Sequence, residues 1–267
     1  MPDMISDIAS AALAAGRAIL DIERSGFHIA EKGDRSPVTE ADARAEEIIL
    51  ARLRALAPHI EIISEEDSAS GLPKSAPQRF FLVDPLDGTR EFIAGNGEYT
   101  VNIALIENGR PVLGAVLAPA SGLLFVGDGA RGAFEASAPD ADAEAASRAR
   151  WRPISARPPR RDGLCALASR SHRDIGTENY LREIAATEIT CIGSSLKFCW
   201  LASGKADLYP RFGPTMEWDT AAGQAVLEAA GGAVLNIDDT PLRYGKAGQG
   251  FRNPPFIARG KPPAAGG

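Results

Sequence analysis

The chain has 267 residues, a formal net charge of −6 and a sequence pI of about 5.3. That length supports one large domain or two small ones with a hydrophobic core, and a content of 45% hydrophobic and 24% charged residues is ordinary for a globular protein. The acidic balance argues against a protein that follows a nucleic-acid polymer, although a single nucleotide needs only a few local cations.

The N-terminal segment lacks a basic stretch, and its apolar residues recur at helical spacing, which predicts an amphipathic helix and not a signal peptide. No apolar run approaches the roughly 20 residues of a transmembrane helix. The three cysteines, Cys165, Cys191 and Cys199, lack metal-type spacing and are predicted to be small buried hydrophobes in a reducing compartment. We therefore expect a cytoplasmic protein. Peripheral association at the cytoplasmic side of the inner membrane stays open, as does the oligomeric state.

Two helices are predicted at the start of the chain. The first covers residues 4–24, and the second begins at Thr39 and ends near Leu56. Thr39 and Asp42 have the spacing of a capping box, in which each side chain satisfies a backbone amide of the other residue.

An antiparallel meander is predicted next. Asn108 and Gly109 lie between the apolar runs 101–106 and 112–117 and are a strong hairpin signal. A further turn precedes a strand at 123–126. The predicted first half is therefore α+β.

The second half is predicted to alternate between strands and helices. Residues 135–150 have little apolar pattern and are predicted to be an exposed loop or linker. Strands are expected at 164–168, 188–192, 206–209 and 233–236, and helices at 179–186, 194–202 and 220–230. The predicted fold class is α/β, with an N-terminal α+β domain over 1–134 and a C-terminal α/β domain over 151–260.

The most distinctive motif is DPLDGT at residues 84–89, directly after an apolar run. Pro85 fixes its own φ and favours an extended Asp84, and Gly88 permits a turn that a side chain would block. Asp84 and Asp87 should therefore lie on one side of a rigid loop at a strand end. Carboxylates this close repel one another unless a cation lies between them, and their hard oxygens suit Mg²⁺.

Two further acidic motifs extend the candidate site. A short predicted strand ends in three consecutive acids at 65–67, and Asp219 begins a helix-like run. Alone, Asp219 would be interpreted as a helix N-cap and the DPLDGT motif as a turn, so the metal hypothesis depends on their combination. Two or three Mg²⁺ ions, the usual clamp for phosphoryl transfer to water, could be held by four carboxylates: Glu65, Asp84, Asp87 and Asp219.

With these motifs the chain resembles the inositol monophosphatase superfamily, and within it the CysQ-type 3′(2′),5′-bisphosphate nucleotidases. The narrower match is carried by five ordered blocks, at residues 88–93, 99–106, 169–172, 193–199 and 208–215. The resemblance extends to about Phe256 and implies the layered αβαβα sugar-phosphatase fold, dependence on Mg²⁺ and sensitivity to lithium. Arg90 stands where these proteins commonly carry Lys, and Tyr99 where they often carry Phe.

The resemblance implies hydrolysis of the 3′-phosphate of adenosine 3′,5′-bisphosphate to AMP and phosphate, a reaction of sulfur assimilation and of nucleotide recycling. It implies one metal held by Glu65, Asp84 and the backbone carbonyl of Leu86. It implies a second metal held by Asp84, Asp87 and Asp219. From the residues alone, Leu86 would be an ordinary core side chain and Glu65 would be indistinguishable from its acidic neighbours.

The catalytic residues implied by the resemblance are Glu65, Thr89 and Asp42. In the family the acid at the position of Asp42 pairs with the loop threonine, here Thr89, to orient the attacking water. The alternative for Asp42 is an acid favoured by the dipole at a helix start.

Further substrate contacts are expected downstream. Ser195 lies at a predicted helix start with Lys197 one turn in, and Arg211 follows a strand, so a second phosphate or the ribose could bind there. The alternatives are an ordinary N-cap, a solvated lysine and a surface cation. His172 could contact the nucleotide or be a partly exposed structural residue. The predicted substrate-binding residues are Glu65, Leu86, Asp87, Gly88, Thr89, His172, Ser195, Lys197, Arg211 and Asp219.

Two alternative functions stay open. The first is the same chemistry on inositol monophosphate or another sugar phosphate, against which Lys197 and Arg211 argue, because a monophosphate needs no second anion site. The second is a non-catalytic metal or nucleotide sensor, against which the intact acids and Thr89 argue. The expected partner is a small-molecule nucleotide.

Overall fold

The computed structural model describes residues 3–31, 37–67, 71–171 and 174–262. Helix α1, Met4–Ser25, and helix α2, Glu40–Leu56, pack side by side, and both agree with the sequence prediction. The strands β1, Ile29–Glu31, and β2, Pro37–Thr39, form a separate antiparallel pair that the pattern did not predict.

A seven-stranded sheet follows, in which sequence neighbours are also spatial neighbours. Its strands are β3 Glu61–Ser64, β4 Arg79–Asp87, β5 Thr100–Glu107, β6 Arg110–Ala118, β7 Leu123–Asp128, β8 Gly132–Ser137 and β9 Arg152–Ile154. β3 and β4 are parallel, and the remaining pairs are antiparallel, so the predicted meander is confirmed from β4 onward. Asn108 and Gly109 have φ of 50° and 72°, as the predicted hairpin requires. The five-residue helix α3, Thr89–Ile93, lies between β4 and β5.

The segment 135–150 differs from the predicted exposed linker. It contains the end of β8 and three short 3₁₀ helices, and Ala138, Ala141 and Ala145 are buried in the first core. Alanines bury little area and form no strong apolar periodicity, which is why the pattern did not reveal this contact. β9 then joins the first sheet, inside the range 151–260. The division into domains at 134 and 151 stays a prediction.

The second sheet has five strands in the order β11-β10-β12-β14-β13. They are β10 Cys165–Ser169, β11 Glu188–Ile192, β12 Leu208–Arg211, β13 Ala233–Asn236 and β14 Phe256–Arg259, of which β14 was not predicted. β10 is parallel to β11 and β12, and β14 is antiparallel to its neighbours. The helices are α4 Ile175–Glu183, α5 Leu196–Ala202 and α6 Glu217–Ala229. α4 and α6 begin before the predicted 179 and 220, because Asp174 caps α4 and Asp219 accepts from the Met216 amide before α6.

The helices and sheets stack in five layers, because alternate residues of a strand face opposite sides of its sheet and each side is covered by helices. Phe81 of β4 packs with α1 and α2, whereas Phe80 faces the opposite core with α5 and α6. Helix α6 crosses the first sheet so closely that a Cβ on Gly114 would lie 2.6 Å from the Ala222 carbonyl oxygen. The second sheet covers the other side of α5 and α6, and α4 packs on its outer face beside Ala166. This arrangement agrees with the implied αβαβα fold.

Cys165 and Cys199 are buried, as predicted. Cys191 is only half-buried, so the prediction was wrong there. In the part of the chain that the structure describes, no helix is both long enough and apolar enough to span a bilayer.

Candidate metal and phosphate site

The DPLDGT loop forms where the ladder between β4 and β5 changes register. Asp84 pairs with Asn102, and after the shift Asp87 pairs with Thr100. The Asp84 carboxylate accepts a hydrogen bond from the Leu86 amide at 3.1 Å, which fixes the loop from within. Gly88 has a φ of 95°, where a side chain would be strained.

Three carboxylates from different elements converge at this loop. Oxygen atoms of Glu65, Asp84 and Asp219 all lie within 4.8 Å of one another. Glu65 follows β3 and is positioned by its amide, which donates to the Val83 carbonyl at 3.1 Å. Asp219 lies in the first turn of α6, and its Oδ2 accepts from the Met216 amide at 2.8 Å.

Burial raises the pKa of Asp84 well above its usual value, and the charges of Glu65, Asp87 and Asp219 raise it further. Burial likewise raises the pKa of Asp219, with Asp87 and Glu65 adding to the effect. Concentrated negative charge of this kind is costly unless a cation neutralises it. The donor set consists of hard carboxylate oxygens with the loop carbonyls nearby, so it fits Mg²⁺.

Asp87, the fourth predicted ligand, lies in the same cavity but outside this group of three. Its Oδ2 accepts a hydrogen bond of 2.6 Å from the Ser195 amide, which ties the loop to the second sheet. Burial raises the pKa of Asp87 to about 6, although Lys197 and the Ser195 amide oppose the shift.

The hydroxyl of Thr89 connects the loop to helix α2. Thr89 Oγ1 lies 3.1 Å from Asp42 Oδ1 and 3.4 Å from the Leu86 carbonyl oxygen. The Asp42 side chain is almost fully buried, and its Oδ2 accepts from both the amide and the hydroxyl of Thr39. Asp42 therefore holds a capping box and contacts Thr89 at the same time, so the two interpretations open from sequence are compatible.

One cavity of about 430 Å³ is lined by the DPLDGT loop, by the three converging carboxylates and by several cationic side chains. Lys197 is 3% exposed, and its Nζ donates to the carbonyls of Ile192 and Ser194 and lies 5.1 Å from the centroid of the Tyr209 ring. Burial lowers the pKa of Lys197 to about 8. The alternative of a solvated lysine is wrong.

Arg211 is also buried at the cavity, with 6% exposure, so it is not a surface cation. Its Nη2 donates to the Pro214 carbonyl at 2.7 Å, and its Nε donates to the Gly213 carbonyl at 3.2 Å. These backbone contacts hold the guanidinium at the end of β12. Leu86 and Gly88, two further predicted contact residues, line the same cavity.

The Ser195 hydroxyl does not lie at the cavity, where a substrate contact was predicted. The hydroxyl is buried and pairs with Asn102 at 2.6 Å and Thr100 at 2.9 Å, on the sheet side of the turn. Ser194, with a φ of 51°, lines the cavity instead.

His172 lies outside the described residues. Sequence reasoning also missed Arg252, which lines the cavity and is placed there by a β-bridge with Met216 that no local motif announces.

The model of the inositol monophosphatase family matches residues 2–258. This chain belongs to the inositol monophosphatase family. Two relatives in this family, the 3′(2′),5′-bisphosphate nucleotidases CysQ of Shigella flexneri and of Escherichia coli K12, are 43% and 42% identical over 255 residues. Each alignment covers 95% of this chain and 98% of the relative.

Solved structures of the inositol monophosphatase family have the same fold. CysQ from Bacteroides thetaiotaomicron aligns with a TM-score of 0.79 and 36% identity, over 96% of this chain and 97% of that one. An inositol monophosphatase from Zymomonas mobilis aligns with a TM-score of 0.76 and 27% identity, over 97% and 93%. The predicted family and layered fold are confirmed.

Proposed function

We propose that this chain is a Mg²⁺-dependent 3′(2′),5′-bisphosphate nucleotidase that converts adenosine 3′,5′-bisphosphate to AMP and phosphate. The observation that carries the proposal is the presence of two separate groups in one cavity: a cluster of carboxylates and a pair of buried cations, Lys197 and Arg211. A substrate with a reacting phosphate and a second phosphate uses both groups. The similarity to the CysQ relatives supports the choice of nucleotide.

Two or three Mg²⁺ ions would be held by Glu65, Asp84, Asp87, Asp219 and the carbonyl of Leu86. When bound, Mg²⁺ supplies Lewis-acid stabilisation of phosphoryl oxygens and lowers the pKa of water. The clustered carboxylates support this assignment, because burial and then mutual repulsion raise the pKa values of Asp84 and Asp219, and a divalent cation relieves that repulsion.

Thr89 and Asp42 would orient the attacking water. Since the hydroxyl proton of Thr89 is directed to Asp42 Oδ1, the lone pairs of Oγ1 are left to accept a hydrogen bond from that water. A proton leaving the water can then pass through Oγ1 to the Asp42 carboxylate. Backbone amides near Gly88 and Thr89 would donate to the phosphoryl oxygens. Direct attack by water needs no covalent phosphoenzyme.

Lys197 and Arg211 would bind the 5′-phosphate, which orients the 3′-phosphate toward the carboxylates. We assign the serine contact to Ser194, because the Ser195 hydroxyl is engaged on the sheet side. A contact from His172 stays a prediction.

The test is phosphate release by the purified protein with and without Mg²⁺, on adenosine 3′,5′-bisphosphate and on inositol 1-phosphate. We expect Mg²⁺-dependent release with a clear preference for the nucleotide. Faster release from inositol 1-phosphate would favour the sugar-phosphate alternative. Absence of release from both substrates would favour a sensor.

A further inference from the structure

The cavity is shared between two separate parts of the chain. The carboxylate side is the loop 84–89 at the end of β4 in the first sheet. The cationic side is residues 193–197, here named the cationic turn, which lead from β11 of the second sheet into the start of α5. A substrate that uses both sides needs them at a fixed separation, because misplacement of about 1 Å is costly in catalysis.

One ion pair spans the gap between these two parts. Arg170, just beyond β10, donates from Nε to Glu98 Oε2 and from Nη2 to Glu98 Oε1, both at 2.7 Å. Glu98 precedes β5 of the first sheet, and its Oε2 also accepts from the Gly193 amide at 2.7 Å. Arg170 Nη2 additionally donates to the Cys191 carbonyl at 2.8 Å. Glu98 therefore connects the first sheet to the start of the cationic turn.

The turn packs directly on the segment that carries Glu98. A Cβ on Gly193 would lie 2.7 Å from the Glu98 carbonyl oxygen and 2.8 Å from Glu91 Cγ, so only glycine fits there. Two residues further on, the Ser195 amide donates to Asp87 Oδ2 at 2.6 Å. The turn is thus held to the first sheet by the Gly193 amide on Glu98, by the Ser195 amide on Asp87 and by the Ser195 hydroxyl on Asn102 and Thr100. Of these contacts, only the one to Asp87 uses a proposed metal ligand.

We infer that Arg170 and Glu98 are positioning residues, which fix the distance between the carboxylate cluster and the cationic turn and so select substrates with a second anionic group at the matching separation. This inference rests on the proposed function.

Because both side chains are partly exposed, we expect the Arg170–Glu98 ion pair to fix the position of the cationic turn more than it stabilises the fold. The Arg170 and Glu98 side chains are 46% and 24% exposed, and ion pairs this accessible contribute little to folding free energy. Their two parallel hydrogen bonds nevertheless impose a direction, which a single contact would not. Neither side chain lines the cavity, so they act through the Gly193 amide and not on the substrate.

The first test compares Arg170→Ala with Arg160→Ala. Arg160 is a matched control, since it pairs with Glu188 at 3.0 Å at the opposite end of β11, away from the cavity. We expect Arg170→Ala to lower kcat/KM for adenosine 3′,5′-bisphosphate by roughly 10- to 100-fold, with a smaller loss for 3′-AMP. Arg160→Ala should match the wild type on both substrates. Equal losses on both substrates for Arg170→Ala, or no loss, would overturn the inference.

The second test needs no substrate. Amide hydrogen exchange should become faster at Gly193 and Ser195 in Arg170→Ala, with protection in the central strands of the first sheet unchanged. Unchanged protection at Gly193 and Ser195 would overturn the inference even if activity fell. If the wild type failed to hydrolyse the bisphosphate, the proposed function would fail, while this measurement would still decide whether the ion pair holds the turn.

A double-mutant cycle completes the design. Glu98→Gln keeps an oxygen that can accept from Gly193 but loses the charge that pairs with Arg170. If the residues act as a unit, the double variant with Arg170→Ala should lose no more bisphosphate activity than the more impaired single variant. Additive losses would show that the two residues act separately and would contradict the inference.

Discussion

The hydroxyl of Thr89 donates to Asp42 Oδ1 at 3.1 Å, across 47 positions of sequence. The other oxygen of Asp42 accepts from the amide and the hydroxyl of Thr39, both at 2.7 Å. One carboxylate thus secures the start of α2 with one oxygen and orients the loop hydroxyl with the other. Asp42, the third helical residue of the α2 capping box, is thereby placed against the proposed catalytic loop.

Variants at Asp42 and Thr39 should separate these two roles. Asp42→Asn keeps the size of the side chain but weakens its capacity as a proton acceptor, so kcat should fall by roughly 10²- to 10⁴-fold. Thr39→Ala removes a cap and should cost about 1 kcal/mol of unfolding free energy while kcat changes little. Steady-state kinetics and denaturant unfolding measure the two effects. Similar losses of kcat in both variants would show that Asp42 acts only as a cap.

Mg²⁺ should stabilise the protein more at pH 7.5 than at pH 5. The folded-state pKa of Asp87 is raised from 3.8 to about 6, and burial and repulsion raise those of Asp84 and Asp219 as well. The metal-free folded state therefore binds more protons than the unfolded state between about pH 4 and 6, and its stability falls as the pH rises through that range.

A bound divalent cation relieves the repulsion of the ionised carboxylates, so the increase in Tm on adding Mg²⁺ should be several degrees larger at pH 7.5. Thermal melts with Mg²⁺ or with a chelator, at matched ionic strength, test this. A Tm increase that is independent of pH would contradict a metal site built from these acids.

Asp87→Asn should reduce catalysis without detaching the loop from the second sheet. The asparagine oxygen can still accept from the Ser195 amide, which now donates to Asp87 Oδ2 at 2.6 Å, so the substitution mainly removes charge. A loss of several kcal/mol of transition-state stabilisation is expected for a missing metal ligand. Phosphate release at saturating Mg²⁺ measures it, and near-normal release would remove Asp87 from the ligand set.

Much of this site could be predicted from local sequence, because its strongest signals are local. The DPLDGT turn, the capping-box spacing and the Asn108–Gly109 hairpin each depend on residues within a few positions. Which of Ser194 and Ser195 faces the cavity could not be predicted from local sequence. It depends on a left-handed backbone at Ser194 and on the contacts of Ser195 with Asn102 and Thr100 from the other sheet. Contacts of this kind depend on how distant segments pack, and no local pattern records them.

Lys197 should make bisphosphate hydrolysis sensitive to alkaline pH. Burial lowers its pKa to about 8, so above that pH the free protein loses a positive charge in the cavity. kcat/KM for adenosine 3′,5′-bisphosphate should therefore fall above about pH 8, relative to the value for 3′-AMP. Taking the ratio of the kcat/KM values for the two substrates removes the effect of titrations that change both values. A ratio that stays constant from pH 7 to 9.5 would show that Lys197 does not bind the second phosphate as a cation.

Arg211 gives the most direct test of substrate choice. Its guanidinium is buried at the cavity and held by the carbonyls of Gly213 and Pro214, so it is positioned before any substrate binds. If it binds the 5′-phosphate, Arg211→Ala should lower kcat/KM for adenosine 3′,5′-bisphosphate by roughly 10- to 100-fold, the worth of a charge-assisted contact of about 1.5–3 kcal/mol. The loss for 3′-AMP, which lacks that phosphate, should be clearly smaller, and Arg160→Ala should behave as the wild type on both. Equal losses on the two substrates would mean that Arg211 serves the reacting phosphate or the fold, and the bisphosphate assignment would then lack its main physical support.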